Sequence, residues 1–150
     1  MKKTLALLTV MSAFAATPAF AADVEFTATV ASTCTIDNLN AGSLGVNGDA
    51  SVLSSTIGTG SSGTADVTAN SNLFTLTVTD PSSFEAGAPA VPAGTTWVSS
   101  TDFNGSTFGE ASPQVVPATT TQATVDLAVT AGSGSFANGS YTALVTLTCS

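Results

Sequence analysis

An all-β sandwich is the fold class this sequence predicts, and three observations carry the prediction. Apolar residues recur with a period of two, as in Phe74, Leu76 and Val78 within NLFTLTVTD and Val125, Leu127 and Val129 within ATVDLAVTA. That spacing puts one set of side chains on one face of a strand. Thr fills the intervening positions, which suits a pleated surface with one wet face. Turn pairs of Asn-Gly type punctuate the chain at Asn47-Gly48, Asn104-Gly105 and Asn138-Gly139, and no helical stripe appears outside the N-terminal leader.

The leader comes first. MKKTLALLTVMSAFAATPAFAAD has a basic start at Lys2 and Lys3, an apolar stretch from Leu5 to Ala16, a breaker at Pro18 and an Ala19-Phe20-Ala21 cleavage pattern. The apolar run is shorter than the roughly 20 residues a bilayer-crossing helix needs, so it reads as an export signal rather than an anchor. Residues 1–21 are therefore expected to be a signal peptide and residues 22–150 a single β-sandwich domain, located in the periplasm, on the outer surface or outside the cell. Nothing later is apolar for long enough to span a membrane.

Along the mature chain, an alternating strand is expected from Val24 to Cys34, with Val24, Phe26, Ala28 and Val30 on one face and Glu25, Thr27 and Thr29 on the other. Further strands are expected at Val52 to Ile57, Thr64 to Ala69, Phe74 to Val78, Thr95 to Ser99, Gln114 to Val116 and Val125 to Val129. Gly58 to Thr64, GTGSSGT, reads as a flexible turn. DPSSFEAGAPAVPAG, from Asp80 to Gly94, reads as a loop that crosses between sheets or covers an edge. Asn138-Gly139 is expected to close a hairpin from Phe136 to Tyr141. In the last strand Tyr141, Ala143, Val145, Leu147 and Cys149 share a face. No internal repeat or long linker divides the mature chain, and many short strands with turn signals at this spacing indicate a sandwich.

The two cysteines, Cys34 and Cys149, would meet an oxidising compartment after export, and an internal disulfide is the simplest outcome. Intermolecular pairing and two free thiols are the alternatives. A bridge between residues 115 apart would stabilise the fold by about 4 to 5 kcal/mol in the chain-entropy account. On the sequence reading both cysteines end the buried stripe of their strands. A bridge would then favour first and last strands that run side by side or face one another across two sheets.

Charge excludes several functions. Lys2 and Lys3 are the only basic residues and there is no His, so the formal net charge of −8 becomes −10 once those two positive charges leave with the leader. A uniformly acidic chain repels phosphate backbones, which argues against nucleic acid as a partner. Without His or Lys there is no His-activated nucleophile, imidazole ligand or Schiff base. Carboxylate-pair hydrolysis would need two facing acids, whereas the ten acids are scattered singly. Calcium would need oxygen ligands in a loop such as D-x-[DN]-x-[DN]-G, which is absent. The chain is accordingly not expected to be an enzyme, nor to carry a catalytic residue, metal or cofactor. Trp97, in GTTWVSS, is either a packing residue or the ligand-face aromatic of a glycan-binding surface.

The stretch VEFTATVASTCTI resembles the start of mature chaperone/usher pilins, in which an alternating apolar extension precedes the first cysteine. Val24, Phe26, Ala28 and Val30 match the extension and Cys34 matches that cysteine. Those pilins usually carry their second cysteine in the early strands, where this chain has Cys149. Related spore-coat-U-like secreted domains share the size and the Thr, Ser, Gly and Ala richness. The resemblance implies an immunoglobulin-like antiparallel β-sandwich whose N-terminal segment is donated as a strand to the next subunit of a fimbrium. The function expected is thus a secreted structural or cell-surface assembly protein that self-associates or joins other surface proteins, with a carbohydrate- or surface-binding module for adhesion as the alternative.

Overall fold

A computed structural model describes residues 25–150. Val24 and the expected signal peptide lie outside the described residues. Residues 31–150 form one unit, and residues 25–30 belong to a separate unit of the chain. Among the described residues there is no helix, and the strands form two antiparallel sheets, as the alternation predicts.

The larger sheet is organised around the longest strand. This is β9 (Thr120–Thr130), flanked on one side by β6 (Thr96–Phe103), which turns tightly into β7 (Ser106–Phe108). On its other side β9 carries two strands in succession, β4 (Gly63–Ala69) along its first half and β3 (Val52–Ser54) along its last residues. Outside these lie β1 (Cys34–Asn40) against β4 and β2 (Gly45–Val46) against β3. A bridge between Ser43 and Ser61 joins the two outer pairs, so residues 34–46 form one continuous sheet edge. The smaller sheet runs β10 (Thr146–Cys149), β5 (Thr75–Thr79), β8 (Gln114–Val115).

The alternation expected for β4, β5 and β9 is realised. Val67, Leu76, Val78 and Val129 are buried between the sheets, with Phe103 from β6 and Val116 just beyond β8. Burying such side chains contributes about 1.5 to 3 kcal/mol each. The Asn104-Gly105 hairpin forms as expected, with Phe103 opposite Ser106 and positive φ at both turn residues. The Asp80–Gly94 loop crosses between the sheets, since β5 and β6 belong to different ones.

Several expectations are corrected. Residues 25–33 are not in a strand, and β1 begins rather than ends at Cys34. Alternation marks a face, yet a strand also needs a neighbour to bond. The strand expected to reach Ile57 stops at Ser54, because the chain leaves the sheet for the excursion of residues 55–62 between β3 and β4. That excursion is anchored rather than loose, through the Ser43–Ser61 backbone pair and a hydrogen bond from the Ser62 hydroxyl to Asp126. The strand at Trp97 runs on to Phe103. No hairpin joins Phe136 to Tyr141. The Phe136 amide instead donates to the Ala50 carbonyl, and the Asn138-Gly139 step takes no positive φ. In the β2–β3 connection it is Ala50, not Asn47 or Gly48, that adopts positive φ.

Candidate functional site

Cys34 and Cys149 form an internal disulfide with their Cα atoms 6.3 Å apart, and neither cysteine is free. Cys34 opens β1 and Cys149 closes β10, so the bridge links one edge of the larger sheet to one edge of the smaller sheet. Of the two arrangements the sequence allows, this is the one across sheets.

From that staple the two edges diverge into a groove of about 830 Å³. One wall is the β1 side, with Ile36, Leu39 and Leu44. The other is the chain leading into β10, with Tyr141, Ala143, Val145 and Leu147, and Val125 and Leu127 of β9 lie between them. Residues 141–145 belong to no strand, although they continue the alternation of β10. Among the described residues they make one backbone hydrogen bond to the rest of the fold, where the Glu85 amide from the crossing loop donates to the Thr142 carbonyl.

The consequence appears in the burial. Residues 141–149 alternate strictly between half-buried and exposed, and none of the apolar stripe is buried. The face expected to be core is covered by the sandwich on one side only. Leu39 and Leu144 at the rims are 75% and 62% exposed. Among the described residues, apolar surface is left open along a path about seven residues long, between the β1 edge of the larger sheet and the strandless chain that leads into β10. Such edges are templates for a further strand.

The end of the groove away from the disulfide is polar. Ser55 is buried and its hydroxyl donates to the Asp126 carboxylate at 2.7 Å while accepting from the Leu127 amide. The Ser62 hydroxyl donates to the same Asp126 oxygen. Asp126 thereby ties the excursion of residues 55–62 to the stretch of β9 between its β4 and β3 partners. Gly45 is required here, since a Cβ would run into the Ile57 carbonyl.

The remaining candidate residues fall elsewhere. Phe26 and Val30 are 91% and 83% exposed, and Ala28 between them is exposed as well. Trp97 is half-buried in an aromatic cluster, its ring 4.5 Å from Phe84, which in turn lies 4.8 Å from Tyr141. Through Tyr141 this cluster supports one wall of the groove. Asp49, in the turn between β2 and β3, is held below the ordinary carboxylate range by hydrogen bonds from the Ser51 hydroxyl and amide. Among the described residues no group of acids or cysteines is arranged to hold a metal ion, and no helix is long and apolar enough to cross a membrane.

Sequence reasoning did not locate the groove, the Asp126 seat, or the role of Asn70, whose side chain bonds Thr33 and Ala31. Only the position of Asn70 at the end of an alternating run hints at it. The fold and groove define a two-sheet β protein with adjacent open edges. No family model matches the chain, and neither a curated protein nor a solved structure matches it.

Proposed function

We propose that this protein is a secreted, self-assembling surface subunit of the pilin-like kind, whose groove takes up the alternating segment Val24 to Val30 of a second copy. The observation that carries the reading is the apolar stripe of residues 141–147, left half-covered between two sheet edges. The alternating sequence of Val24 to Val30, exposed at residues 25–30, supports it. The segment and the stripe are each seven residues long, or about 23 Å in extended form. VEFTATV contains no Pro or Gly, so every residue can donate to a ladder.

The energetics explain why a strand is the fitting occupant. Burying Val24, Phe26 and Val30 would contribute about 5 to 9 kcal/mol, while association costs about 4 to 15 kcal/mol. The side chains alone therefore do not secure binding. Backbone pairing with both open edges, at about 0.5 to 1.5 kcal/mol per hydrogen bond, supplies the difference, and only an extended segment offers it. No catalytic role is proposed. Export and a place on the cell surface belong to the same reading.

The test compares the mature chain with a variant lacking residues 23–30, by sedimentation velocity and electron microscopy. The full mature chain should form higher oligomers or fibres. The truncated one should remain a folded monomer that binds a synthetic peptide of residues 23–33. A full chain that stays monomeric at high concentration, with no peptide uptake by the truncated form, rejects the reading.

A further inference from the structure

Strand donation raises a question that the groove alone does not answer: why the extension should not fill the groove of its own chain. The extension enters β1 directly, so a reversal just before Cys34 would lay residues 24–30 beside β1 in the same molecule. Asn70 bears on this. It follows the last residue of β4, the strand bonded to one edge of β1, and it is the opposite end of β4, Gly63 to Ala65, that lines the groove.

Three hydrogen bonds run from Asn70 to the residues preceding β1. The Asn70 amide donates to the Thr33 carbonyl at 3.2 Å, the Thr33 amide donates to Asn70 Oδ1 at 2.8 Å, and Asn70 Nδ2 donates to the Ala31 carbonyl at 2.8 Å. The side-chain amide thus behaves as one more peptide unit of β4. Thr33 N–H, Thr33 C=O and Ala31 C=O all face the β4 side, which is the alternation of a straight antiparallel strand. A reversal at Ala31 to Thr33 would have to turn at least one of these groups away and break its bond.

We propose that Asn70 is a direction-setting residue: it holds Ala31 to Thr33 in line with β1, so that the extension is presented to a second copy instead of folding into its own groove. This rests on the strand-donation reading. A clamp at Ala31 acts after residues 23–30, which if extended would reach about 26 Å, enough to cover the neighbour's stripe. The role is positioning, since Asn70 lines no part of the groove. Its side chain is exposed, so replacing it removes hydrogen bonds without opening a cavity.

The experiment uses four mature proteins: the full chain and the form lacking residues 23–30, each with Asn70 and with Asn70→Ala. Assembly is followed by light scattering and sedimentation, and uptake of the 23–33 peptide by fluorescence anisotropy. Asn70→Ala in the full chain should slow assembly at least tenfold and yield a monomer that refuses added peptide, because its own extension occupies the groove. Asn70→Ala in the truncated form should bind the peptide as the unsubstituted truncated form does, an outcome that general damage to the fold would not give. If the truncated forms bind peptide and full-length Asn70→Ala assembles at the unsubstituted rate, this inference falls while strand donation stands. If no truncated form binds peptide and the unsubstituted chain stays monomeric, strand donation falls and takes this inference with it. Should Asn70→Ala not fold, Asn70→Asp decides the matter: it keeps the acceptor for Thr33 and loses the donor to Ala31, so intermediate slowing is expected and an unsubstituted rate overturns the proposal.

Discussion

Replacing both bridge cysteines, as Cys34→Ala with Cys149→Ala, tests how the open side of the sandwich is held together. The bridge closes a loop with a sequence separation of 115. Chain-entropy arithmetic for that length gives about 5 kcal/mol of stabilisation, acting mainly by restricting the unfolded chain. A domain of this size has about 5 to 15 kcal/mol in total, so the substitution removes between a third and all of it. At about 4 °C per kcal/mol, the midpoint of thermal unfolding should fall by about 15 to 20 °C. Both cysteines also pack against the core beside Ile36 and Leu147, and alanine keeps that site apolar, so the loss is chiefly that of the crosslink. Urea melts followed by far-UV dichroism supply the measurement, and reduction of the unsubstituted protein should reproduce the shift. The unbridged unfolded chain is also freer to expand, so the denaturant slope should rise. A change below about 1 kcal/mol, or two titratable thiols in the native protein, would refute the reasoning.

Other perturbations probe the interior and the turns. Thr101 is fully buried and its hydroxyl has no hydrogen-bond partner among the described residues, so Thr101→Val should raise stability by about 1 kcal/mol in urea melts, and a loss of stability would refute this. Trp97→Ala should cost about 2 to 4 kcal/mol, below the range for a fully buried ring, by removing the contact with Phe84. If a glycan array instead shows binding that this variant loses without loss of stability, Trp97 serves a ligand. Asp49 has its folded-state value depressed, so its contribution is present above the ordinary carboxylate value near 3.8 and is lost as the pH falls through the lower folded value. Ser51→Ala removes the larger cause, and an NMR titration should then find Asp49 moved back up towards 3.8.

Much of the architecture was legible because alternation and local turns are written in short stretches. Phe74, Leu76 and Val78 declare a buried face whatever the partner strand, and Asn104-Gly105 accepts the backbone angles of a two-residue hairpin. The failures share a cause. Val24 to Val30 and Tyr141 to Leu147 carry the same alternation, but a face is a property of the segment while a ladder belongs to two segments at once. Asn138-Gly139 permits a turn without compelling one, and the Phe136 amide finds the distant Ala50 carbonyl instead. The disulfide was legible as a pair of cysteines. The groove was not, because it arises from where the two sheet edges stop.

The charge pattern bears on what could hold copies together. All ten acids lie at or after Asp23, whereas the only basic side chains are Lys2 and Lys3, so two copies lacking the expected leader would repel one another over a distance set by salt. The groove, by contrast, is lined on its two walls by Ile36 and Leu44 and by Val145 and Leu147, and Asp126, whose neighbours Val125 and Leu127 also line it, is engaged by Ser55 and Ser62. Residues 23–30 carry two acids, Asp23 and Glu25, both at odd positions, whereas Phe26 and Val30 are at even ones. In the proposed assembly, repulsion between copies would act through their outer surfaces and burial through the groove. Those two terms respond oppositely to conditions: screening weakens the first without touching the second, and kosmotropic salts strengthen the second. Residues 22–150 contain no lysine, arginine or histidine and so offer no side-chain ion pair against like-charge repulsion; in the proposed assembly, apolar burial along residues 141–147 and backbone pairing would have to hold the copies together.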